Sequence, residues 1–197
     1  MKKNLFIATL ISIAISSFAQ ADNGAKASIK LFPMGDFVAD IKGMKGTVTV
    51  SNGNYIAKDL SLDLNTFKSG LELRDNHAKE KYLEVKKFPT ATIIEASGTN
   101  GKGTGKLKIK DKIHDVSGTY KINGQNLVAE FTIKLSDFGI SEINYKGVGV
   151  EDEVKIEVTA PIVAAAAPPA AEAGATSKGK TPAKPAPAKP QPKKKTN

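Results

Sequence analysis

The chain has 197 residues, a length that suggests one domain with additional segments. It contains no cysteine, which excludes a disulfide framework and a thiolate metal site. Its net charge is +9, but residues 1–21 contribute +2 and residues 164–197 contribute +6, so residues 22–163 carry only +1. A nearly neutral central region argues against a nucleic-acid-binding domain, because such a domain carries its basic surface on the fold itself.

The first 21 residues have the pattern of an export signal. A pair of lysines is followed by the uncharged stretch Leu5–Phe18 and by the small-x-small cleavage motif Ala19-Gln20-Ala21. The stretch is too short and too poor in large apolar residues for a transmembrane span. We therefore predict cleavage after Ala21, export to the periplasm and a soluble mature protein that begins at Asp22.

An alternation of apolar and polar residues with a period of two dominates residues 22–163. This period is typical of strands with one buried and one solvated face. Turn signals such as Asn100-Gly101 and Asn123-Gly124 separate the strands. No succession of strand, long helix and strand is present, so the pattern predicts an antiparallel barrel or sandwich. The clearest alternating stretches are Leu60–Leu64, Leu107–Ile109, Leu127–Leu135 and Val154–Val158.

One segment, residues 71–85, departs from this period. Ala78, Tyr82 and Val85 are spaced four and three residues apart, which predicts a short helical connection. Asp75 or Asn76 is a candidate N-cap for this helix.

Three polar residues, Arg74, Asp75 and His77, lie near the entrance of the predicted helix. Metal ligation remains open as an interpretation, although His77 and His114, the two histidines of the chain, have no recognised spacing. Catalysis by His77 with Asp75 or Glu80 lacks a nucleophile in a recognisable context. We favour a structural polar rim, in which Arg74, Asp75 and His77 attach the connection to the barrel through charge-assisted hydrogen bonds. We predict no cofactor and no metal.

Two short motifs resemble nucleotide sites without their context. Gly101-x-Gly103-x-Gly105 leads into a strand, whereas a phosphate-binding loop needs a helix N-terminus behind it. Asp137-Phe138-Gly139 resembles the magnesium loop of kinases, but the other kinase motifs are missing from the sequence. We interpret the first as a flexible hairpin and reject the second.

Residues 164–197 form a tail rich in alanine, proline and lysine. The tail has no aromatic and no large aliphatic residue, so we predict that it is disordered. It is either a spacer or, through its seven lysines, a tether to an anionic surface of the cell envelope.

Three groups of motifs follow one another along the chain. They are Leu73-Arg74-Asp75-x-His77 with Lys81-Tyr82-Leu83 and Phe88-Pro89-x-Ala91, Gly105–Ile109 with His114-Asp115-Val116, and Ser136–Ile140 with Gly149 and Asp152–Ile156. In this order they resemble the YceI-like family, and together they cover roughly residues 37–160. The longer members of that family begin with an aromatic residue and a His-Ser pair, where this chain has Ala27–Phe32.

The resemblance implies that this protein is exported and shares the family's barrel fold. Some members of the family bind a polyisoprenoid chain inside their barrel. With the residue pattern, it predicts an all-β protein: an extended, antiparallel, eight-stranded lipocalin-like barrel with one short helical connection and a disordered C-terminal tail. The predicted segments are a signal peptide (1–21), the barrel domain (22–163) and the tail (164–197).

The inward-facing residues of the predicted barrel are apolar. An eight-stranded barrel is either filled by side chains or hollow enough for one ligand, and an apolar interior favours an apolar ligand. We predict an exported, non-enzymatic carrier of an isoprenoid or lipid-like ligand; the alternatives are a ligand-free envelope-attachment module and, last, an enzyme. The candidate cavity residues are Leu60, Leu62, Leu64, Phe67, Leu107, Ile109, Phe131, Ile133, Leu135 and Phe138.

Overall fold

The computed structural model describes residues 23–145 and 147–164. The predicted signal peptide and the predicted tail beyond residue 164 lie outside the described residues. The strands are β1 (Gly24–Phe32), β2 (Asp36–Ile41), β3 (Val48–Ser51), β4 (Asn54–Asp63), β5 (Thr90–Thr99), β6 (Lys102–Ile109), β7 (Lys112–Asn123), β8 (Asn126–Lys134), β9 (Asn144–Tyr145), β10 (Val148–Val150) and β11 (Glu153–Ala164).

The strands form a closed barrel, which confirms the predicted fold class. Strands β3 to β8 are neighbours in chain order with antiparallel pairing, and β11 closes the ring between β8 and β3. The contact of β11 with β3 is parallel and pairs Ile162 with Val48. A closed ring leaves no free edge along these seven strands, so their backbone groups are paired within the barrel.

The two ends of the barrel are closed differently. At the end where β11 begins, β1 pairs with β11 and then with β2. Backbone hydrogen bonds of 2.8 and 2.9 Å join Asp40 in β2 to Lys68, just after β4. We call this end the mouth end. The closed ring itself has seven strands, where eight were predicted; β1 and β2 extend the wall at the mouth end, and β3 closes the ring at the distal end.

The connection between β4 and β5 is helical, as predicted, but its helix begins earlier. Helix α1 (Glu72–His77) follows Leu71 as its N-cap and continues as a π-helical turn, Ala78–Tyr82. Asp75 therefore lies inside the helix and is not its cap. Within the described residues, no helix has the length and apolar character needed to cross a membrane.

Strands β4 and β5 each contain an irregularity at the same height of the barrel. Asp59 has a φ of 52°, a left-handed conformation that Asp tolerates better than most residues. In β5, the register with β6 shifts between Ile93 and Glu95. Such an extra residue reverses which side chains point inward. In β4 the buried residues Ala57 and Leu60 are accordingly three positions apart, where strict alternation would give two or four. The buried core residues form two clusters.

Candidate binding site

A large cavity occupies the mouth half of the barrel. Its volume is about 560 Å³, inside the range of about 300–1,000 Å³ that is common for small-molecule sites. We call it the main cavity. It is bounded by inward-facing residues of the barrel strands and by the helical connection, which lies across the mouth.

The structure places nine of the ten candidate residues in the lining of the main cavity. Phe138 does not line the main cavity: its side chain is only 1 % exposed and its ring packs edge-on against His114, with centroids 5.1 Å apart. It contributes to the core beside the cavity. The predicted residues that line the cavity are Leu60, Leu62, Leu64, Phe67, Leu107, Ile109, Phe131, Ile133 and Leu135.

The predicted cavity residues omit several segments of the lining, including parts of β2, β5, β10 and β11, and two omitted segments shape the mouth. The first is β1, where Ala25, Ala27, Ile29 and Leu31 face the cavity. Their alternation with polar residues was a readable signal, although small alanines make it weak. The second is the helical connection, whose side chains Leu71, Leu73, Ala78, Tyr82 and Leu83 reach the cavity. Leu71 and Leu73 are also about half exposed, so the apolar lining extends to the surface at the mouth.

The polar atoms of the lining side chains are concentrated on the helical connection. Within the described residues, Arg74, His77 and Tyr82 are the lining side chains that carry them. Arg74 is half-buried, and its guanidinium carbon lies 3.6 Å from the centre of the Phe37 ring in β2. A guanidinium on an aromatic face is a favourable cation–π arrangement. It places one permanent positive charge beside an otherwise apolar space.

Ser69, which the sequence analysis did not single out, organises the polar rim. The Nε of Arg74 donates to Ser69 Oγ and an Nη2 proton donates to the Ser69 carbonyl, each at 2.8 Å. Asp75 is buried and accepts hydrogen bonds from the Ser69 backbone N, at 2.8 Å, and from Ser69 Oγ. These bonds fix the start of α1 to the preceding chain. Asp75 therefore supports the rim from behind and does not line the cavity.

The far end of the helical connection is held by an ion pair. Glu84 accepts a hydrogen bond from Lys110 in the turn between β6 and β7, and the Lys110 side chain is only 13 % exposed. The connection is thus attached to the barrel on both sides of the mouth.

The described residues provide no cluster for a metal ion. No group of three or more His, Cys, Asp or Glu side chains converges in residues 23–145 and 147–164. His114 packs against Phe138, whereas His77 is at the cavity. The two histidines therefore have separate surroundings.

A second, smaller space lies in the distal half and measures about 90 Å³. We call it the distal chamber. Tyr55 and Tyr120 lie in its wall with their rings edge-to-face, 5.2 Å apart at an angle of 61°. Its lining is otherwise mostly small or apolar, with several glycines of β5, β6 and β7.

Comparisons with known proteins identify a family and a similar fold. The sequence model of the YceI-like domain matches residues 18–162. BcnA of Burkholderia cenocepacia has a similar structure, with a TM-score of 0.54 and 24 % identity over 68 % of this chain and 94 % of that one. A polyisoprenoid-binding domain from Saccharophagus degradans, implicated in plant cell wall breakdown, has a TM-score of 0.51 and 11 % identity over 71 % of this chain and 94 % of that one. A comparison with curated proteins finds no match.

Proposed function

The chain belongs to the YceI-like family, and from that premise we propose that it is an exported, periplasmic carrier of an isoprenoid or a similar long-chain apolar ligand. The observation that carries this proposal is the main cavity: about 560 Å³ of space with an almost wholly apolar lining. A space of that kind favours a ligand that consists mostly of hydrocarbon.

Burial of hydrocarbon supplies enough free energy for such a ligand. Each methylene removed from water contributes about 0.8 kcal/mol, so ten contribute about 8 kcal/mol before the cost of ordering the chain. The Saccharophagus degradans domain is described as polyisoprenoid-binding, which is the reason to prefer an isoprenoid over other apolar chains. We propose that the chain lies in the main cavity and that its end group lies at Arg74.

Arg74 is placed to meet a polar or anionic end group. Its Nε and one Nη2 proton are used by Ser69, and a guanidinium has five N–H donors. Within the described residues Arg74 forms no direct ion pair, and the Asp75 carboxylate lies on the other side of the Ser69 hydroxyl. A phosphate or hydroxyl at the end of an isoprenoid would complete its hydrogen bonding.

We propose binding rather than catalysis because of what lines the cavity. Among the described residues, the lining has no Ser, Thr, Asp, Glu or Lys side chain. Nucleophilic catalysis needs a nucleophile with a base beside it, and the described lining offers no serine, threonine or carboxylate for these roles.

The lysine-rich tail supports a second part of the proposal, a loose tether to an anionic surface of the envelope. Seven lysines and one glutamate occur in residues 164–197. Each lysine near an anionic membrane contributes about 1 kcal/mol, over a range of about 8 Å at physiological salt. A variant that lacks residues 164–197 should no longer sediment with phosphatidylglycerol vesicles at low salt, and added salt should release the full chain. Equal sedimentation of both proteins would leave the tail as a spacer only.

Native mass spectrometry of the folded protein from periplasmic extracts tests the carrier function. We expect an adduct with the mass of an isoprenoid or other long-chain lipid. Ala27→Phe, which fills the main cavity from β1, should abolish the adduct. Ser28→Phe, on the outer face of the same strand, is the matched control and should retain it. A folded wild-type protein with no adduct and no uptake of added polyprenol would support the ligand-free attachment module instead.

A further inference from the structure

The main cavity and the distal chamber share one layer of side chains. Leu60, Ile93, Phe131 and Val158 line both spaces. They come from β4, β5, β8 and β11, so they project from several sides of the barrel. Leu60, Phe131 and Val158 are buried and Ile93 packs against both core clusters. We call these four residues the constriction.

Two of these side chains lie against glycine backbone. A Cβ at Gly46 would lie 2.8 Å from Leu60 Cδ2, so the Leu60 side chain occupies space that glycine leaves open. A Cβ at Gly118 would lie 2.8 Å from Phe131 Cβ and 2.1 Å from the Glu130 carbonyl oxygen. Glycine at these two positions therefore allows the close approach of Leu60 and of the strand that carries Phe131.

The irregularities in β4 and β5 occur at the height of the constriction. Leu60 pairs with Ile93 across the two strands, directly beside Asp59 and the register shift. The set of side chains that points inward changes at this point. Ala57 and Ala96 therefore face the distal chamber, and Leu60 and Ile93 form part of the constriction. The wall therefore changes from small to large residues over a few positions.

The distal chamber is too small to be a site of its own. Its volume of about 90 Å³ is well below the range of about 300–1,000 Å³ for small-molecule sites. Its lining is mostly apolar, and it adjoins the main cavity at the constriction. A chain that passed the constriction would gain this extra space, and a chain that stopped there would not.

We propose that the constriction sets the longest apolar chain that the barrel accepts, with Leu60 and Phe131 as the residues that determine chain-length specificity. This inference rests on the proposed carrier function. In the wild-type protein the end of the chain meets the constriction. Longer chains must leave part of their length exposed at the mouth or displace the constriction, and both outcomes lower their affinity.

Displacement of the fluorescent probe N-phenyl-naphthylamine by prenols of increasing length measures the limit. The series is geraniol, farnesol, geranylgeraniol and solanesol. For the wild-type protein, we expect affinity to rise along the series and then to fall at one member. Leu60→Ala and Phe131→Ala should each bind that member at least about tenfold more tightly than the wild type, because each additional buried methylene contributes about fourfold.

Two control variants test whether a shift in the chain-length limit requires a change at the constriction or follows from any enlargement of the cavity. Leu64→Ala removes the same atoms from the main cavity alone and should leave the limit at the same prenol. Ala57 lines the distal chamber but not the main cavity. Adding Ala57→Leu to Leu60→Ala should refill the chamber and restore the wild-type limit. Thermal unfolding of each variant establishes that the compared proteins are folded.

The outcomes distinguish this proposal from the one on which it rests. Binding of prenols without a shift in Leu60→Ala and Phe131→Ala, or an equal shift in Leu64→Ala, overturns the constriction and leaves the carrier function intact. If no prenol displaces the probe, the same variants are titrated with unbranched fatty alcohols of increasing length. A shift there supports the constriction with a different ligand, and failure of every chain to bind the wild type overturns both proposals.

Discussion

The two halves of this barrel use the same long strands but enclose different spaces. At the mouth, β1 and β2 extend the wall around about 560 Å³; at the distal end, where β3 closes the seven-strand ring, the space is about 90 Å³. The diameter of a barrel grows with its number of strands. Insertion of β1 and β2 therefore widens the mouth end, while β3 closes the other end more tightly.

The difference also explains where the large and small residues lie. The wide half is lined by long aliphatic side chains that leave a space between them, such as Leu62 and Ile109. In the narrow half, glycines admit the large rings: a Cβ at Gly98 would lie 2.6 Å from the Tyr120 ring. In the distal half, small residues beside large ones allow side chains to fill the interior. The mouth half lacks such pairs.

The largest expected effect comes from a charge placed in the wide half. Ile133 is buried and lines the main cavity, so Ile133→Asp buries a carboxylate without a partner. We expect a loss of at least about 4 kcal/mol in the free energy of unfolding. Thr132→Asp, on the exposed side of β8, should cost less than about 1 kcal/mol. Urea unfolding of both variants makes the measurement, and similar losses for the two would contradict a dry, apolar interior.

A pair of leucines compares the two halves directly. Leu127 belongs to the distal core, whereas Leu62 lines the main cavity. We expect Leu127→Ala to cost about 3 kcal/mol, a usual value for removing a packed leucine. Leu62→Ala should cost roughly half as much in the ligand-free protein, because part of its surface already faces empty space. Added ligand should widen the loss for Leu62→Ala and leave that for Leu127→Ala unchanged.

Equal losses in the free energy of unfolding for the two leucine variants, without ligand, would contradict the difference between the two halves. They would mean that the mouth half packs as tightly in solution as the distal half does. Chemical unfolding, with and without added polyprenol, gives all four values in one experiment.

The polar rim of the mouth should contribute less than the core. Arg74→Ala removes two charge-assisted hydrogen bonds to Ser69, each of a type that contributes about 1.5–3 kcal/mol when fully buried. Because Arg74 is only half-buried, we expect a total loss of about 1.5 kcal/mol. Ser69→Ala removes the hydroxyl shared with Asp75 and is the matched control for the clamp.

Ligand content separates the two roles of this arginine. If Arg74 also contacts the ligand, Arg74→Ala should lose bound lipid while Ser69→Ala, with a similar loss of stability, retains it. Equal lipid content in both variants at equal stability would confine Arg74 to the clamp.

The sequence predicted the inward-facing residues of the regular strands better than it predicted the irregularities in β4 and β5. Alternation placed Leu107, Ile109 and Ile133 on the correct face because each strand there keeps a strict period of two. It could not show the reversals at Asp59 and after Ile93, since one extra residue in a strand has no compositional signature. The distinct closure of the two ends was equally invisible, because it depends on which strands meet across long stretches of chain.

The polar rim shows the same limit for the candidate site. Arg74 and His77 were recognised from their residue types, and both reach the cavity. Ser69 and Phe37 were missed, because a serine and a phenylalanine become partners of an arginine only through the fold. Phe138 was assigned to the cavity for its apolar character, whereas its position after β8 turns it into the neighbouring core.

The smallest expected effect concerns a carboxylate in the turn beside the mouth. Asp152 accepts hydrogen bonds from Ser136 Oγ and from the Ser136 backbone N, each at 2.7 Å. These bonds lower the pKa of Asp152 below its ordinary range. A carboxyl group with a lowered pKa in the folded protein stabilises it above the unfolded-state pKa, and that stabilisation is lost as the pH falls through the folded-state pKa.

Asp152→Asn should therefore destabilise the protein at neutral pH by less than about 1 kcal/mol, since solvent screens an exposed group. The difference from wild type should shrink as the pH falls below the unfolded-state pKa of about 4 and should vanish below the lowered folded-state pKa. Thermal unfolding between neutral and acidic pH measures it. In a Ser136→Ala background, which lacks the hydroxyl donor, the pH-dependent part should be much reduced; an undiminished pH dependence there would mean that Ser136 is not the group that holds this carboxylate.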